Sequence, residues 1–144
     1  MKTRFRFERL NAWQTARNLN RQVYRLARKL PEYELYAMTS QIRRASVSVS
    51  SNIAEGSGRN SDKDFAHFLE QAYGSLMEVA SLLYLALDEN YLTATEVEAV
   101  FEVIDKAAGQ TAALNRSLDV KTAKTPFKRG AGRGSLDPRP STLD

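Results

Sequence analysis

QIRRASVSVSSNIAEGSGRNS, residues 41–61, sets two adjacent arginines, a run of serines and a polar Asn52/Glu55 pair on what reads as one helix. At about 100° per residue, Met38, Ile42, Ala45, Val49 and Ile53 fall on one face with Asn52 at its border, while Ser40, Arg44, Val47 and Ser51 group opposite. The pattern predicts a helix from Glu34 to Glu55. Serine is a weak helix former, so Ser46, Ser48, Ser50 and Ser51 need compensation, by close packing or by recognition. Gly56 and Gly58 fit the left-handed backbone that ends a helix. Ser61 followed by Asp64 caps the next one.

Upstream, Lys2, Arg4 and Arg6 alternate with Thr3, Phe5 and Phe7, which predicts a short extended arm over residues 1–9. From Asn11, a candidate N-cap with Gln14 at the capping-box position, Trp13, Ala16, Leu19, Val23, Leu26, Ala27 and Leu30 form an apolar stripe that Pro31 ends. Downstream, a third helix over about 62–89 carries Phe65, Phe68, Leu69, Ala72, Leu76, Val79, Ala80, Leu83 and Leu87. Asn90 marks a turn, Thr95 with Glu98 reads as a capping box, and a fourth stripe runs from Val97 to Leu118. Four stripes over residues 10–118 joined by short connections predict an all-α, antiparallel up-down four-helix bundle. Residues 119–144 lose the periodicity to Pro126, Pro138, Pro140 and a glycine run, the composition of a basic Gly/Pro-rich flexible tail.

The 144 residues suit one such domain. With no cysteine there is no disulfide framework, thiolate nucleophile or Cys-based metal site. The segment MKTRFRFERL lacks the apolar core of a signal peptide, and no run of about 18 apolar residues could span a bilayer. The expectation is a cytoplasmic protein without a membrane partner.

The net charge of +4 conceals an asymmetry. Residues 1–60 carry 12 Lys+Arg against 4 Asp+Glu, and residues 61–118 carry 3 against 10. Such halves can neutralise one another, or the basic one can attract a polyanion. Arg17, Arg21, Arg25 and Arg28 share an arc of about 80° on the first helix, a ladder whose planar guanidinium forks match repeated phosphates. The same ladder also fits a solvated face or ion pairs to the acidic helices. Arg43 and Arg44 could reach a neighbouring subunit or a phosphate, or bridge Glu55 or an acid of the third helix. Asn52, Glu55 and Arg59 read first as a register-setting polar group near the end of the second helix. Gly56-Ser57-Gly58, flanked by Arg59 and Lys63, lacks the lysine and strand of a phosphate loop and reads as a helix cap. His67 is the single histidine, which leaves no multi-histidine metal site within one chain. In the tail, Lys128-Arg129 and Arg133 amid glycines weakly match segments that bind single-stranded nucleic acid.

Leu10-Asn-Ala-Trp13-Gln14-Thr-Ala16, Gln41-Ile-Arg43-Arg44-Ala45, Ser48-Val-Ser-Ser-Asn52-Ile-Ala-Glu55-Gly56-Ser-Gly-Arg59 and Phe68-Leu-x-x-Ala72-x-Gly74-Ser75-Leu76-x-Glu78 resemble the four-helix-bundle family of 23S rRNA intervening-sequence proteins over about residues 7–118. That family is related in fold to the accessory variability determinant proteins of diversity-generating retroelements. The resemblance implies a homo-oligomer, a pentameric barrel being favoured, whose basic surface engages RNA and, beside retroelements, a reverse transcriptase. Tyr36-Ala37-Met38 departs from the more usual Tyr-Gly-Leu, which alters local packing without touching the basic positions. The combined expectation is a non-enzymatic RNA-binding accessory protein with no cofactor, using Arg17, Arg21, Arg25, Arg28, Arg43, Arg44, Arg59 and Lys63, with Gln41, Asn52, Glu55 and Gly56 as structural motif. The alternative is an adaptor whose basic face docks an acidic protein.

Overall fold

Each apolar stripe is realised as a helix in the computed structural model, which describes residues 1–120. The helices are α1 (Asn11–Ala27), α2 (Met38–Ser57), α3 (Asp62–Asp88) and α4 (Ala94–Ser117), with no strand among the described residues. Two short 3-10 turns, Arg6–Arg9 and Glu32–Glu34, precede α1 and α2. α1 packs on α2 and α4, and α3 on α2 and α4, so the four surround one shared core. Leu19, Val23, Ile42, Val49, Ile53, Phe65, Leu69, Leu76, Leu83, Val97 and Ile104 fill it. No helix among the described residues is long and apolar enough to cross a membrane. The tail segment containing Lys128, Arg129 and Arg133 lies outside the described residues.

Several side-chain pairs tie one helix to the next. Ser46 Oγ donates to Asn20 Oδ1 across α1 and α2 at 3.1 Å, and Ser48 and Ser75 share a hydroxyl hydrogen bond of 2.9 Å across α2 and α3. Gln41 Nε2 donates to Glu78 farther along that seam. Asn115 Nδ2 donates to the Ala66 carbonyl from α4 to α3, and Lys29, just past α1, pairs with Glu96 in the first turn of α4. Small hydroxyl residues thus let the helices approach closely while keeping their own polar groups satisfied. That accounts for two of the serines in the 41–61 stretch.

Five local expectations are corrected. Residues 6–9 wind into a 3-10 turn because Glu8 Oε2 accepts from the backbone N–H groups of Arg4 and Phe5, each at 2.6 Å, which pulls the arm out of an extended path. Leu10, not Asn11, caps α1, and the Gln14 side chain instead donates to the Glu8 carbonyl at 2.7 Å. α2 starts at Met38 rather than Glu34; the Glu34 carboxylate accepts from the Met38 N–H, and residues 32–34 form a separate turn after Pro31. Neither Gly56 nor Gly58 has positive φ. Gly58 follows α2 with φ −89°, and Gly56 is buried within the helix. The capping box of α4 is Thr93 with Glu96: Thr93 Oγ1 accepts from Glu96 N–H, and Glu96 accepts from Thr93 N–H. Ser61 caps α3 as expected, accepting from Asp64 N–H at 3.1 Å, and Asn90 makes the following turn at φ 58°. Asparagine tolerates that left-handed geometry better than most residues.

Candidate nucleic-acid interface

The neighbouring helices α1 and α2 contain a single acid between them, Glu55, whereas α3 and α4 contain Asp62, Asp64, Glu70, Glu78, Asp88, Glu96, Glu98, Glu102 and Asp105. The charge asymmetry along the chain therefore becomes an asymmetry between two sides of the fold. Burial of Ala12, Ala16, Leu19, Val23 and Leu26 turns Arg17, Arg21 and Arg25 outward, and Arg28, which follows the last turn with helical backbone, continues the row. All four are exposed, and none forms an ion pair with a described residue. Only Lys29 on this segment reaches an acid of α4.

Arg43 and Arg44 divide as the helical wheel requires. Arg43 lies half-buried on the α1 side of α2, with its guanidinium 5.5 Å from the centre of the Tyr24 ring and its Nε buried without a hydrogen-bond partner among the described residues. Arg44 points to solvent. Neither bridges Glu55 or an acid of α3, so that alternative is not realised. Arg17 sits 5.6 Å from the Trp13 ring centre, so arginine and aromatic surface interleave along α1. Such contacts hold a guanidinium in place without neutralising it.

Arg59 and Lys63 flank the passage from α2 to α3. Arg59 donates to Glu55 Oε1 at 3.0 Å and lies 4.5 Å from the Phe68 ring centre. Its charge is already shared, unlike those of the α1 row. Lys63 is exposed between Asp62 and Asp64, and the first turn of α3 is occupied by the Ser61 cap. The positive helix end is therefore met by the chain's own groups. Among the structural motif residues, Asn52 Nδ2 donates to the carbonyl and hydroxyl of Ser48 at 2.8 and 2.9 Å, while Glu55 is exposed.

A cleft of about 400 Å³ opens between α1 and α4, lined by Gln14, Thr15, Asn18, Glu102, Val103 and Lys106. His67 lies elsewhere, on the exposed side of α3, bonded to Gln71 one turn on. Among the described residues no three His, Cys, Asp or Glu side chains assemble into a metal-holding group. Sequence reading missed the N-terminal aromatic stack, in which Phe5 lies parallel to Phe7 with centres 5.6 Å apart, and Phe7 meets Trp13 at 4.8 Å. It also missed Tyr24 as the seat of Arg43. In both cases the signal available was an aromatic residue beside a basic one.

A solved structure of a protein of unknown function from the S23 ribosomal protein family of Bacteroides thetaiotaomicron matches with a TM-score of 0.68 at 20% identity, covering 74% of this chain and 99% of that one. At that identity the match establishes a shared fold. No curated protein matches the chain. The family model described as 23S rRNA-intervening sequence protein matches residues 8–113, most of the helical region. The chain thus belongs to the 23S rRNA-intervening sequence protein family.

Proposed function

We propose that this protein is a non-enzymatic, cytoplasmic RNA-binding accessory protein whose α1/α2 face holds the phosphate backbone. The observation that carries the reading is the arginine row Arg17, Arg21, Arg25 and Arg28, which forms no ion pair with a described residue, together with exposed Arg44 on α2, on two helices that hold a single acid between them. Arginines left without carboxylate partners are available to phosphates, and the acidic α3/α4 side would repel the same ligand and so orient it. The proposal includes a ribonucleoprotein partner, a reverse transcriptase being the protein component that the family resemblance implies. The name of the matched family, which refers to ribosomal RNA, is consistent with an RNA ligand.

The proposed architecture is antiparallel and up-down. Lys29–Glu96 sets the end of α1 against the start of α4, Asn115–Ala66 the end of α4 against the start of α3, and Gln41–Glu78 the start of α2 against the C-terminal half of α3, which are the chain directions such a bundle requires. The proposed assembly is a homo-oligomer, a ring of five being favoured by the resemblance. Val47 on the outer face of α2 and Met77, Tyr84 and Leu85 on α3 are exposed apolar surface that a second copy would cover.

The test is equilibrium binding of labelled RNA as a function of salt. The wild-type chain should show log K falling linearly with log salt. In the Arg21→Gln/Arg25→Gln variant the slope should flatten by roughly 0.7 to 0.9 for each phosphate contact removed, with the thermal transition unchanged. Equal affinity and equal slope for the two proteins would show that this row is merely solvated. Binding to one acidic protein with no response to RNA would favour the adaptor instead.

A further inference from the structure

We propose, building on that RNA-binding reading, that the N-terminal arm is a base-stacking platform, with Phe5 the ring that receives a base, and that the ligand of the basic face is therefore single-stranded RNA. Phe5 lies parallel to Phe7, at 8° between planes and 5.6 Å between centres, and Phe7 in turn rests on Trp13, whose ring is capped by Arg17. The stack thus runs from the start of the arginine row to an outermost ring that is 59% exposed. A further flat group laid on Phe5 would extend the series by one step.

The arm holds that ring in place. Glu8 accepts from the N–H groups of Arg4 and Phe5, and Gln14 ties the Glu8 carbonyl to α1. Arg6 donates to the Ser57 carbonyl at 3.3 Å and lies 5.2 Å from the centre of the Phe65 ring. A ring fixed in this way loses little freedom when a base stacks on it. Arg4 and Arg9 on the arm are exposed and form no ion pair with a described residue, so a phosphate backbone passing Phe5 toward Arg17 meets three guanidinium groups against the one carboxylate of Glu8, which two backbone N–H groups already hold. Attraction of these arginines for the phosphates that link the bases is what favours a nucleic acid over an uncharged apolar ligand.

The geometry also discriminates between forms of RNA. Bases in a duplex are stacked on each other and cannot be laid on a side chain, whereas those of a single strand can. Arginines alone would attract both.

The experiment compares a fluorescein-labelled unstructured RNA strand with a duplex of the same length, against the full chain and its Phe5→Leu and Phe5→Tyr variants. Phe5→Leu should weaken single-strand binding by roughly 5- to 150-fold, the range for loss of one base–aromatic stack. Its salt slope should not change, since no charge is removed. Duplex affinity should stay the same, and Phe5→Tyr, which keeps the ring, should retain single-strand affinity. Trp13 emission monitors whether the arm remains docked. An unchanged single-strand affinity in Phe5→Leu, an equal loss for strand and duplex, or failure of Phe5→Tyr to retain affinity would each overturn the inference while leaving the RNA-binding reading intact. Absence of RNA binding by the wild-type chain would overturn both.

Discussion

The Cβ that Gly56 lacks would stand 2.7 Å from the Cβ of Phe68, and 2.8 Å from Cδ2 of Phe65. α2 and α3 therefore meet at a point where only hydrogen fits. Gly56→Ala gains helix propensity of about 1 kcal/mol but must displace an atom fixed next to backbone. Overpacking of this kind costs about 1–3 kcal/mol, and the conflict with Phe68 Cβ leaves little room for relief, so we expect net destabilisation. Gly74→Ala is the control. Nothing lies within 4 Å of its added methyl, so it should stabilise by about 0.5–1 kcal/mol. Chemical denaturation of the two variants checks both signs.

Gly56 also shows where sequence reading stops. Glycine near a helix end serves either a left-handed turn or a close approach, and the two uses look the same in one dimension. The apolar stripes were legible because periodicity encodes which face is buried; Leu19, Val49, Leu76 and Ile104 are all in the core. The capping box was misplaced by two residues because Thr93 and Thr95 each have a glutamate three residues on. The choice depends on Lys29, distant in sequence, which pairs with Glu96. The arginine row was legible for the same reason as the stripes, whereas the Phe5–Phe7–Trp13 stack depends on how the arm folds back through Glu8 and Gln14.

Thr93→Ala should destabilise the protein by about 1 kcal/mol, the usual loss for an N-cap hydroxyl. The same box responds to acid. The hydrogen bond from Lys29, with the Thr93 N–H next in importance, lowers the Glu96 carboxyl from 4.5 to about 2. A carboxyl lowered on folding contributes stability that is fully present above its unfolded value and is lost as pH falls through the folded one. The Glu96 contribution should therefore persist above pH 4.5 and disappear toward pH 2. Glu96→Gln should flatten the stability–pH curve in that window, and an unchanged curve would show that the box carries no titratable stability.

The hold on the arm should weaken in acid for a related reason. Glu8 is held below the ordinary carboxylate value of 4.5, first by the Phe5 N–H, then by that of Arg4, with the Arg17 and Arg9 charges adding to it. The Glu8 contribution to docking should thus be fully present above pH 4.5 and be lost as Glu8 protonates below it. Trp13 emission, which senses Phe7, reports the change directly. Glu8→Gln should show the undocked signal, or an attenuated transition, at all pH values.

Asn52 and Glu55 differ in what they contribute, although they lie one turn apart. Asn52→Leu removes the amide that binds the carbonyl and hydroxyl of Ser48 beside the Ser48–Ser75 contact, and should destabilise by about 1 kcal/mol. Glu55→Ala breaks only an exposed ion pair to Arg59 and should change stability by about 0.5 kcal/mol or less. Thermal melts that placed Glu55→Ala below Asn52→Leu would show that the Arg59–Phe68 contact depends on the carboxylate.

Arg43 and Arg44 give the sharpest separation between folding and binding, because adjacent positions place one side chain against Tyr24 and the other in solvent. Arg43→Gln loses the contact with the Tyr24 ring and should destabilise the protein by about 0.5–1 kcal/mol and, on the proposed reading, also weaken RNA binding. Arg44→Gln removes an exposed guanidinium that forms no ion pair with a described residue, so the thermal transition should stay within about 0.5 kcal/mol of wild type. If Arg44 contacts a phosphate, its variant should still bind more weakly, with a salt slope shallower by roughly 0.7 to 0.9. Melting curves and salt titrations on the same two preparations separate the effects. Wild-type affinity and slope in Arg44→Gln would confine the phosphate surface to α1 and leave the outer face of α2, with Val47 exposed beside it, as a surface for another copy of the chain.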